Sequence, residues 1–296
     1  MVYNGLSLSS LHYSVIDWTL CQNLSIYEYR ILAFVDILGF KNMIQQSTCN
    51  SLEQKRILTA MNIIHSYKEL NDFGFDGEGL RKYGVQVTTF SDSAIISYPI
   101  SYDGGLFHVL IDLIHLQIDL SNLGIFIRGG VSIGLAYHDK YNAFGPAMND
   151  AYMLESKEAK FPRIILTSQT LNSGVAASKN HQNLSDISLL KSIIKQDKDG
   201  FYYLDYLRQF QELDYPEYDY YIWLTRIRDH LINNLNLYYS DTEIYHKYLW
   251  MLNYWNDVFN SSNLTIPLEE GTSDSRVKQI FENYLSLAIK SDYPHL

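Results

Sequence analysis

The chain has 296 residues, of which 47% are hydrophobic and 19% are charged, and its formal net charge at pH 7 is −10. These values are typical of a globular protein with one sizeable domain and room for an extension. They exclude a general nucleic-acid-binding protein, because neutralising phosphates requires clustered Lys and Arg, whereas a small anionic substrate held through metal ions stays compatible with them.

Nothing in the sequence indicates a membrane protein. Residues 1–10 lack the basic and apolar segments of a signal peptide, and the longest apolar region, residues 106–123, is interrupted by two histidines and two aspartates. The two cysteines, Cys21 and Cys49, have no metal-ligand spacing and indicate no disulfide framework. We therefore expect a cytoplasmic protein with neither a membrane nor a nucleic acid as its partner.

The first regular element is a short apolar run that ends in an acid. Residues 31–35 (ILAFV) have the length and composition of a buried strand, and residues 38–40 (LGF) are typical of a tight turn that opens a helix. Asp36 lies between them, where an unpaired carboxylate would be costly to bury. Its carboxylate is either a metal ligand or the cap of the following helix.

A second acid occurs at the predicted tip of a β-hairpin. Residues 84–90 and 94–98 are strand-like runs, and Asp92 lies in the polar step between them. If this hairpin lies beside the first strand, Asp36 and Asp92 converge at one sheet edge, next to the backbone N–H groups of residues 38–40. Two carboxylates and a helix N-terminus suit Mg²⁺ or Mn²⁺ carrying a triphosphate.

The rest of the chain alternates predicted strands and helices. Glycines interrupt the strand-like residues 125–134, which indicates a bulge or the close approach of another backbone. Hydrophobic periodicity predicts helices over 51–70, 103–121 and 145–160, and further strands over 163–167 and 201–205. This order predicts an α+β sandwich with a mixed or antiparallel sheet and helices on one face.

Three regions follow from these patterns. Residues 1–28 form a predicted N-terminal arm, residues 29–205 form the sheet domain, and residues 206–296 form a helical extension packed on it. In the extension, periodicity predicts helices over 221–237, 242–259 and 275–289.

Four segments in this order resemble the catalytic core of the class III nucleotidyl cyclases, the adenylyl and guanylyl cyclase superfamily. They are residues 34–40 (FVDILGF), 90–92 (FSD), 128–134 (RGGVSIG) and 144–149 (FGPAMN). The resemblance covers residues 30–170 and implies a ferredoxin-type sandwich. Residues 151–155 (AYMLE), 161–164 (FPRI) and 247–250 (KYLW) are more specifically similar to the pyrimidine cyclases of Pycsar, a bacterial anti-phage defence system.

The resemblance implies a role for each matching residue near the first acid. Asp36 and Asp92 hold two divalent cations, Mn²⁺ or Mg²⁺, with the Ile37 carbonyl as a further metal ligand. The turn that follows is implied to bind the substrate, through Leu38, Gly39 and Phe40.

Two further roles are implied by the later segments. Arg128 is expected to contact phosphate. Asn149 is expected to come from the second subunit of a head-to-tail homodimer and to fix the ribose or the transition state. Such a homodimer has two composite active sites, and a monomer is inactive.

Several positions differ from the family pattern. Adenylyl cyclases read adenine with a Lys and an Asp where this chain has Thr88 and Asn142, which argues against cyclic AMP and for a pyrimidine base. Met153 replaces the usual transition-state Arg. The missing positive charge could come from a nearby basic residue, namely Lys157, Lys160 or Arg163, or mainly from the metal ions.

The resulting hypothesis is a uridylate cyclase that converts UTP to 3′,5′-cyclic UMP and pyrophosphate as a signal in anti-phage defence. A separate cyclic-nucleotide-responsive effector would act on the product. The alternatives are a cytidylate cyclase that makes cyclic CMP from CTP, a weakly active nucleotide-sensing homologue, and a scaffold that docks partners on its C-terminal helices.

Overall fold

The computed structural model describes residues 26–73, 79–178, 184–209 and 216–261. Most of the predicted arm over residues 1–28 lies outside the described residues, as does the predicted helix over 275–289. The division of the chain at residue 205 stays a prediction.

A single sheet forms the centre of the described structure. Its strands are Glu28–Ile37 (β1), Gln86–Phe90 (β2), Ser93–Pro99 (β3), Ile127–His138 (β4), Ala143–Phe144 (β5), Ile164–Leu166 (β6), Ile194–Gln196 (β7) and Tyr202–Leu204 (β8). The strand order is β2-β3-β1-β4-β6-β8-β7, and β5 pairs with β4 outside this path. Because only the β4–β6 pair is parallel among these described strands, the predicted mixed, mostly antiparallel sheet is confirmed.

Helices flank this sheet and complete the predicted α+β class. They are Phe40–Ser47 (α1), Ser51–Phe73 (α2), Gly105–Ser121 (α3), Pro146–Met153 (α4), Ser168–Ala177 (α5), Leu184–Ile193 (α6), Pro216–Leu237 (α7) and Thr242–Ser261 (α8). The predicted helix over 145–160 is shorter than expected, because α4 passes into a π-helical turn at Leu154–Glu158. Within the described ranges, no helix is both long and apolar enough to cross a membrane.

The two faces of the sheet are covered differently. Successive side chains of a strand point to opposite faces, and in β1 Ile31, Ala33 and Val35 join the large core formed with α2 and α3. Leu32 instead packs with Ala147 and the rest of α4 on the other face. The predicted helical layer on one face of the sheet is the one formed by α2 and α3. The opposite face carries the short helix α4.

The last two helices pack against the end of the sheet domain through buried aromatic side chains. Trp223 of α7 donates its indole N–H to Ser121 Oγ at 2.9 Å. Tyr254 of α8 donates its hydroxyl to Asp205 Oδ1 at 2.7 Å. These hydrogen bonds satisfy polar groups that would be costly to bury alone.

Glycines in β4 let α4 lie close to the sheet. A Cβ added at Gly130 would lie 2.5 Å from the Ala151 carbonyl oxygen and would also collide with Leu154. At Gly134, on the same face, the nearest atom to an added Cβ is the Cβ of Ala147 at 3.4 Å. The predicted close approach of another backbone is confirmed at Gly130.

We predict that Gly130→Ala destabilises the protein by about 1–3 kcal/mol, because the added methyl group overpacks the contact between β4 and α4. Urea unfolding followed by circular dichroism measures this change. Gly134→Ala is the matched control, since an added methyl group there meets only ordinary contacts and should cost much less. Equal effects of the two substitutions would contradict this account of the helix contact.

Candidate active site

The pairing of β1 with its two neighbours places the first acid among polar side chains. Asp36 lies opposite Ser93 of β3 and opposite Arg128 of β4. Ser93 donates its hydroxyl to Asp36 Oδ1 at 3.0 Å. The end of β1 thus carries a carboxylate bound to a hydroxyl, with an arginine at the paired position of β4.

The hairpin brings the second acid to the same edge. Asp92 lies in the two-residue turn between β2 and β3, and its carbonyl oxygen accepts the Ile37 N–H at 3.1 Å. The preceding residue, Ser91, has a φ of 51°, which L-residues seldom adopt outside such turns. This backbone bond holds the hairpin tip against the end of β1, as the sequence predicts.

Burial and the neighbouring carboxylate change the protonation of Asp36. Burial raises the pKa of Asp36 to about 7, and repulsion from Asp92 adds to this effect. Glu155 also contributes repulsion, whereas the hydrogen bond from Ser93 opposes the rise. Such a pair of oxygen donors fits a hard divalent cation, whose charge would remove the repulsion.

A metal site built from side chains alone is absent from the described part of the chain. No group of three or more His, Cys, Asp or Glu is placed there to surround an ion. A cation at Asp36 and Asp92 would thus need further oxygen ligands from backbone carbonyls, water or substrate phosphates. The two cations and the Ile37 carbonyl ligand stay predictions.

The turn after Asp36 has the geometry of an open helix start. Gly39 is the N-cap of α1, has a φ of 76°, and makes no side-chain capping hydrogen bond. Asp36 is therefore not the cap of this helix, which removes the alternative interpretation of its carboxylate. Leu38 donates its N–H to the Phe126 carbonyl oxygen at 2.9 Å, which anchors the turn to the neighbouring strand region.

An additional acid contacts Arg128. Arg128 Nε lies 2.5 Å from Oε1 of Glu155, which is almost fully buried. The two atoms form an ion pair without the angles of a hydrogen bond, so both retain unsatisfied hydrogen-bonding capacity. The sequence pattern did not single out Glu155, because this residue lies in a π-helical turn that was predicted as ordinary helix.

The two predicted asparagines lie on the surface. Asn149 is exposed on α4. Asn142 is also exposed, and its backbone N–H donates to Asp139 Oδ1 at 2.7 Å. Within the described residues, Asn149 makes no hydrogen bond to Asp36 or Asp92. Its contribution from a second copy of the chain stays a prediction.

Thr88 belongs to a buried hydrogen-bonded relay. Arg30 Nε donates to Ser97 Oγ at 2.7 Å, and that oxygen lies 2.7 Å from His138 Nδ1. His138 Nε2 lies 3.0 Å from Thr88 Oγ1. Sequence reasoning missed the first three members, although polar residues inside apolar strands signal a buried partner.

The donors and acceptors in this relay follow from the arginine. Arg30 can only donate, so Ser97 accepts from it and donates its own proton to His138 Nδ1. Burial and the Arg30 charge lower the pKa of His138 to about 3, so the ring is neutral. Its remaining proton is on Nε2 and is donated to Thr88. The other tautomer would leave the Ser97 proton without an acceptor.

Arg163, one of the three candidate sources of positive charge, is committed elsewhere. Its side chain is 1% exposed and forms ion pairs with Asp197 and Asp199. Its guanidinium lies over the rings of Phe161 and Trp250, at 5.3 and 5.5 Å from their centroids. The structure therefore removes Arg163 from the list of residues that replace the arginine lost at position 153.

Known families do not match this chain by sequence: no family model and no curated protein does so. Two solved structures are similar to it at 17% identity. A bacterial light-regulated adenylyl cyclase matches over 50% of this chain and 45% of its own, with a TM-score of 0.32. The catalytic core of a rhodopsin-guanylyl cyclase with converted specificity, in complex with ATPαS, matches over 60% of this chain and 95% of its own, with a TM-score of 0.33.

A second bacterial light-regulated adenylyl cyclase structure is similar at 16% identity and a TM-score of 0.33. This chain spans 45% of the length of both light-regulated structures. At these TM-scores, the similarity assigns no activity to the chain.

We predict a pH-dependent stability that originates at His138. Between pH 6.5 and about 3, the unfolded state binds a proton at this position that the folded state does not bind. The His138 contribution to stability therefore falls as the pH decreases through this window, by up to about 1.4 kcal/mol per pH unit. Asp36, whose pKa is raised to about 7, contributes a slope of the opposite sign, so the His138 contribution is read from the difference between the wild type and a His138 variant. Urea unfolding from pH 7 to pH 4.5 measures the slope.

His138→Gln should make the slope of stability against pH less positive than in the wild type, because it removes the His138 contribution and leaves that of Asp36. It also lowers stability at pH 7 by disturbing the relay. The exposed His65 provides the control, since His65→Gln should keep the wild-type slope. An unchanged slope in His138→Gln would show that the ring is not held neutral.

Proposed function

We propose that this protein is a class III nucleotidyl cyclase that converts UTP to 3′,5′-cyclic UMP and pyrophosphate. The carboxylate pair Asp36 and Asp92 carries the proposal, since it lies at one sheet edge with Arg128 directly opposite Asp36. In the reaction, the ribose 3′-oxygen forms a bond to the α-phosphorus, the bond from that phosphorus to the β-phosphate oxygen breaks, and pyrophosphate leaves. The 3′-hydroxyl proton is lost to solvent.

In this proposal, some residues of the site bind the metal ions and others contact the phosphates. When bound, two divalent cations supply a lowered pKa for the ribose 3′-hydroxyl and neutralise the triphosphate. Asp36 and Asp92 hold those cations at the strand ends. Arg128 contacts the phosphates. The open N-terminus of α1 at Gly39 presents backbone N–H groups to phosphate oxygens.

The second half of the site is proposed to come from another copy of the chain. Asn149 is exposed on α4. Large apolar side chains are exposed close in sequence to the predicted site residues. Phe90, two residues before Asp92, is 81% exposed, and Tyr141, next to Asn142, is 76% exposed. Exposed apolar residues of this size are suited to burial in an interface. A head-to-tail homodimer would bring Asn149 and Asn142 to the metal-binding half of the partner.

The relay supports uracil over cytosine as the base. His138 donates to Thr88, which occupies one accepting position of the hydroxyl and leaves its proton to be donated. That proton is 3.3 Å from the Asp139 carbonyl oxygen in the free protein, a long hydrogen bond that a ligand can replace. At position 4, uracil offers an accepting carbonyl, whereas cytosine offers a donating amine. We propose that Thr88 donates this proton to the base, which favours uracil.

The role in anti-phage defence is proposed from the resemblance to the pyrimidine cyclases of Pycsar. In its support, the segments 161–164 and 247–250, which carry that resemblance, contact each other. The ring of Phe161 stacks on that of Trp250 with centroids 5.4 Å apart. A separate effector that responds to cyclic UMP would act on the product. The second candidate is a nucleotide sensor of low activity, favoured by Met153, which is exposed and uncharged.

The first test is product analysis. Purified protein is incubated with an equimolar mixture of ATP, GTP, CTP and UTP and with Mn²⁺, and the products are identified by mass spectrometry. We expect cyclic UMP and pyrophosphate. Asp36→Asn and Asp92→Asn should each lower the rate at least about 100-fold, because each removes a metal-binding carboxylate.

The control for these substitutions is Asp229→Asn, which removes an exposed carboxylate on α7 and should retain wild-type activity. Nucleotide binding without any cyclic product would favour the sensor. Undiminished activity in Asp36→Asn would refute the proposed site.

Base selectivity is tested at Thr88. Thr88→Val removes the hydroxyl while keeping the shape of the side chain, and we expect kcat/KM for UTP to fall about tenfold relative to kcat/KM for CTP. Thr88→Ser keeps the hydroxyl and should retain the selectivity. Thermal unfolding of both variants separates a change in selectivity from a loss of folding. Equal losses for both nucleotides in Thr88→Val would contradict the role in base selection.

A further inference from the structure

A pocket of about 350 Å³ next to Arg128 concentrates basic side chains in an acidic protein. Its basic residues come from three elements, namely β4 (Arg128), the π-helical turn and the segment just after it (Lys157 and Lys160), and α8 (His246 and Lys247). Glu243 of α8 is the acid that lines it. We propose that this basic pocket binds the polyphosphate end of the nucleotide and the released pyrophosphate, which makes α8 part of the active site.

Two lysines of the pocket are available for such a ligand. Lys157 and Lys160 are exposed and form no ion pair within the described part of the chain. By contrast, Lys247 Nζ lies 2.7 Å from Glu243 Oε1. A ligand with several anionic oxygens matches several mobile ammonium groups better than a single carboxylate does, because each contact is a charge-assisted hydrogen bond.

His246 adds a ring nitrogen of defined role. Its Nδ1 lies 2.7 Å from the Thr242 carbonyl oxygen, which can only accept, so Nδ1 carries a proton. Nε2 is therefore the nitrogen that remains for a partner. It accepts a hydrogen bond from a protonated phosphate oxygen, or it donates one when the ring itself is protonated.

Arg128 links the pocket to the proposed metal-binding half-site. This residue lies opposite Asp36 in the sheet and also lines the pocket. Its ion-pair partner, Glu155, is close enough to Asp36 and Asp92 to raise the pKa of Asp36 and to have its own pKa raised by Asp92. The leaving group of the proposed reaction would therefore depart from Asp36 and Asp92 toward the lysines. In this sense the inference rests on the proposed function.

A stacked aromatic pair at the wall of the pocket holds α8 in position. Trp250, one turn after Lys247, stacks on Phe161, which itself lines the pocket. Lys247 also lines a second pocket of about 380 Å³ that includes Leu38 and Gly39 of the turn after Asp36. Lys247 of α8 thus adjoins both the turn proposed to bind phosphate and the basic pocket. This is the placement expected for a residue that contacts a triphosphate extending from one to the other.

The direct test is binding of inorganic pyrophosphate, without metal or nucleotide, to the full chain by calorimetry. Lys157→Gln combined with Lys160→Gln should weaken binding about tenfold or more, and Lys247→Gln should also weaken it. Glu243→Gln should act in the opposite direction and tighten binding, because it removes the acid that faces the ligand and frees Lys247. Lys55→Gln combined with Lys191→Gln, two exposed lysines outside the pocket, gives the same change in net charge and should bind as wild type.

Turnover separates this inference from the proposed cyclase activity. If cyclic UMP is formed, the double lysine variant should raise KM for UTP and weaken product inhibition by pyrophosphate about tenfold or more. Cyclic UMP formation with unchanged pyrophosphate binding in both lysine variants would overturn the basic pocket and leave the cyclase proposal intact. Lysine-dependent pyrophosphate binding in a protein that forms no cyclic product would support the pocket and overturn the cyclase. Equal weakening in the control variant would overturn the pocket in favour of general charge.

Discussion

The repulsion between Asp36 and Asp92 is the constraint around which the site is arranged. The backbone holds the two carboxylates close together. It does so through the β1–β3 register and through the hydrogen bond from the Ile37 N–H to the Asp92 carbonyl oxygen, at 3.1 Å. The energetic cost is visible in the pKa of Asp36, which burial and Asp92 raise to about 7. Apolar packing of the opposite face, where Val35 and Ile37 are buried, offsets this cost.

The two faces of the sheet therefore differ in composition and in their contribution to the protein. One face is apolar and packs against α2 and α3, and this packing stabilises the fold. The other carries Asp36, Arg128 and the relay from Arg30 to Thr88, and it is only partly covered by α4. Polar groups on this face are fixed by one another, because Arg30 and Ser97 are almost completely buried and each nitrogen of the guanidinium, like the Ser97 hydroxyl, makes a hydrogen bond to a neighbour. A face that combines fixed polar groups with exposed apolar side chains is suited to binding, since its donors and acceptors are oriented before the ligand arrives.

The sequence predicted the elements that depend on local pattern. The apolar run before Asp36, the hairpin around Asp92 and the close approach at Gly130 all follow from residue type and spacing over short segments, the longest of which is the hairpin over residues 84–98. The relay could not be predicted in this way, because Ser97 and His138 are 41 residues apart and Arg30 and Ser97 are 67 apart. Arg163 is a second example. Its closeness to Met153 in sequence made it a candidate for the missing positive charge, but its guanidinium is buried against Trp250, 87 residues further along the chain. Local patterns fix which residues point inward, whereas long-range packing decides which charges remain free.

The C-terminal helices show why a truncation cannot by itself distinguish a catalytic core from a scaffold. Tyr254 donates its hydroxyl to Asp205 at 2.7 Å and accepts the Leu207 N–H at 3.1 Å, and both hydrogen bonds are buried. Ending the chain near residue 210 would leave the Leu207 N–H without this partner and would remove one hydrogen bond of Asp205, which Arg208 still contacts. It would also expose the apolar side chains that α8 covers, so the sheet domain itself would be destabilised. A loss of activity would then report folding. Substitutions in the basic pocket avoid this ambiguity, because Lys157 and Lys160 are exposed and the contacts of Tyr254 and Trp255 keep α8 in place.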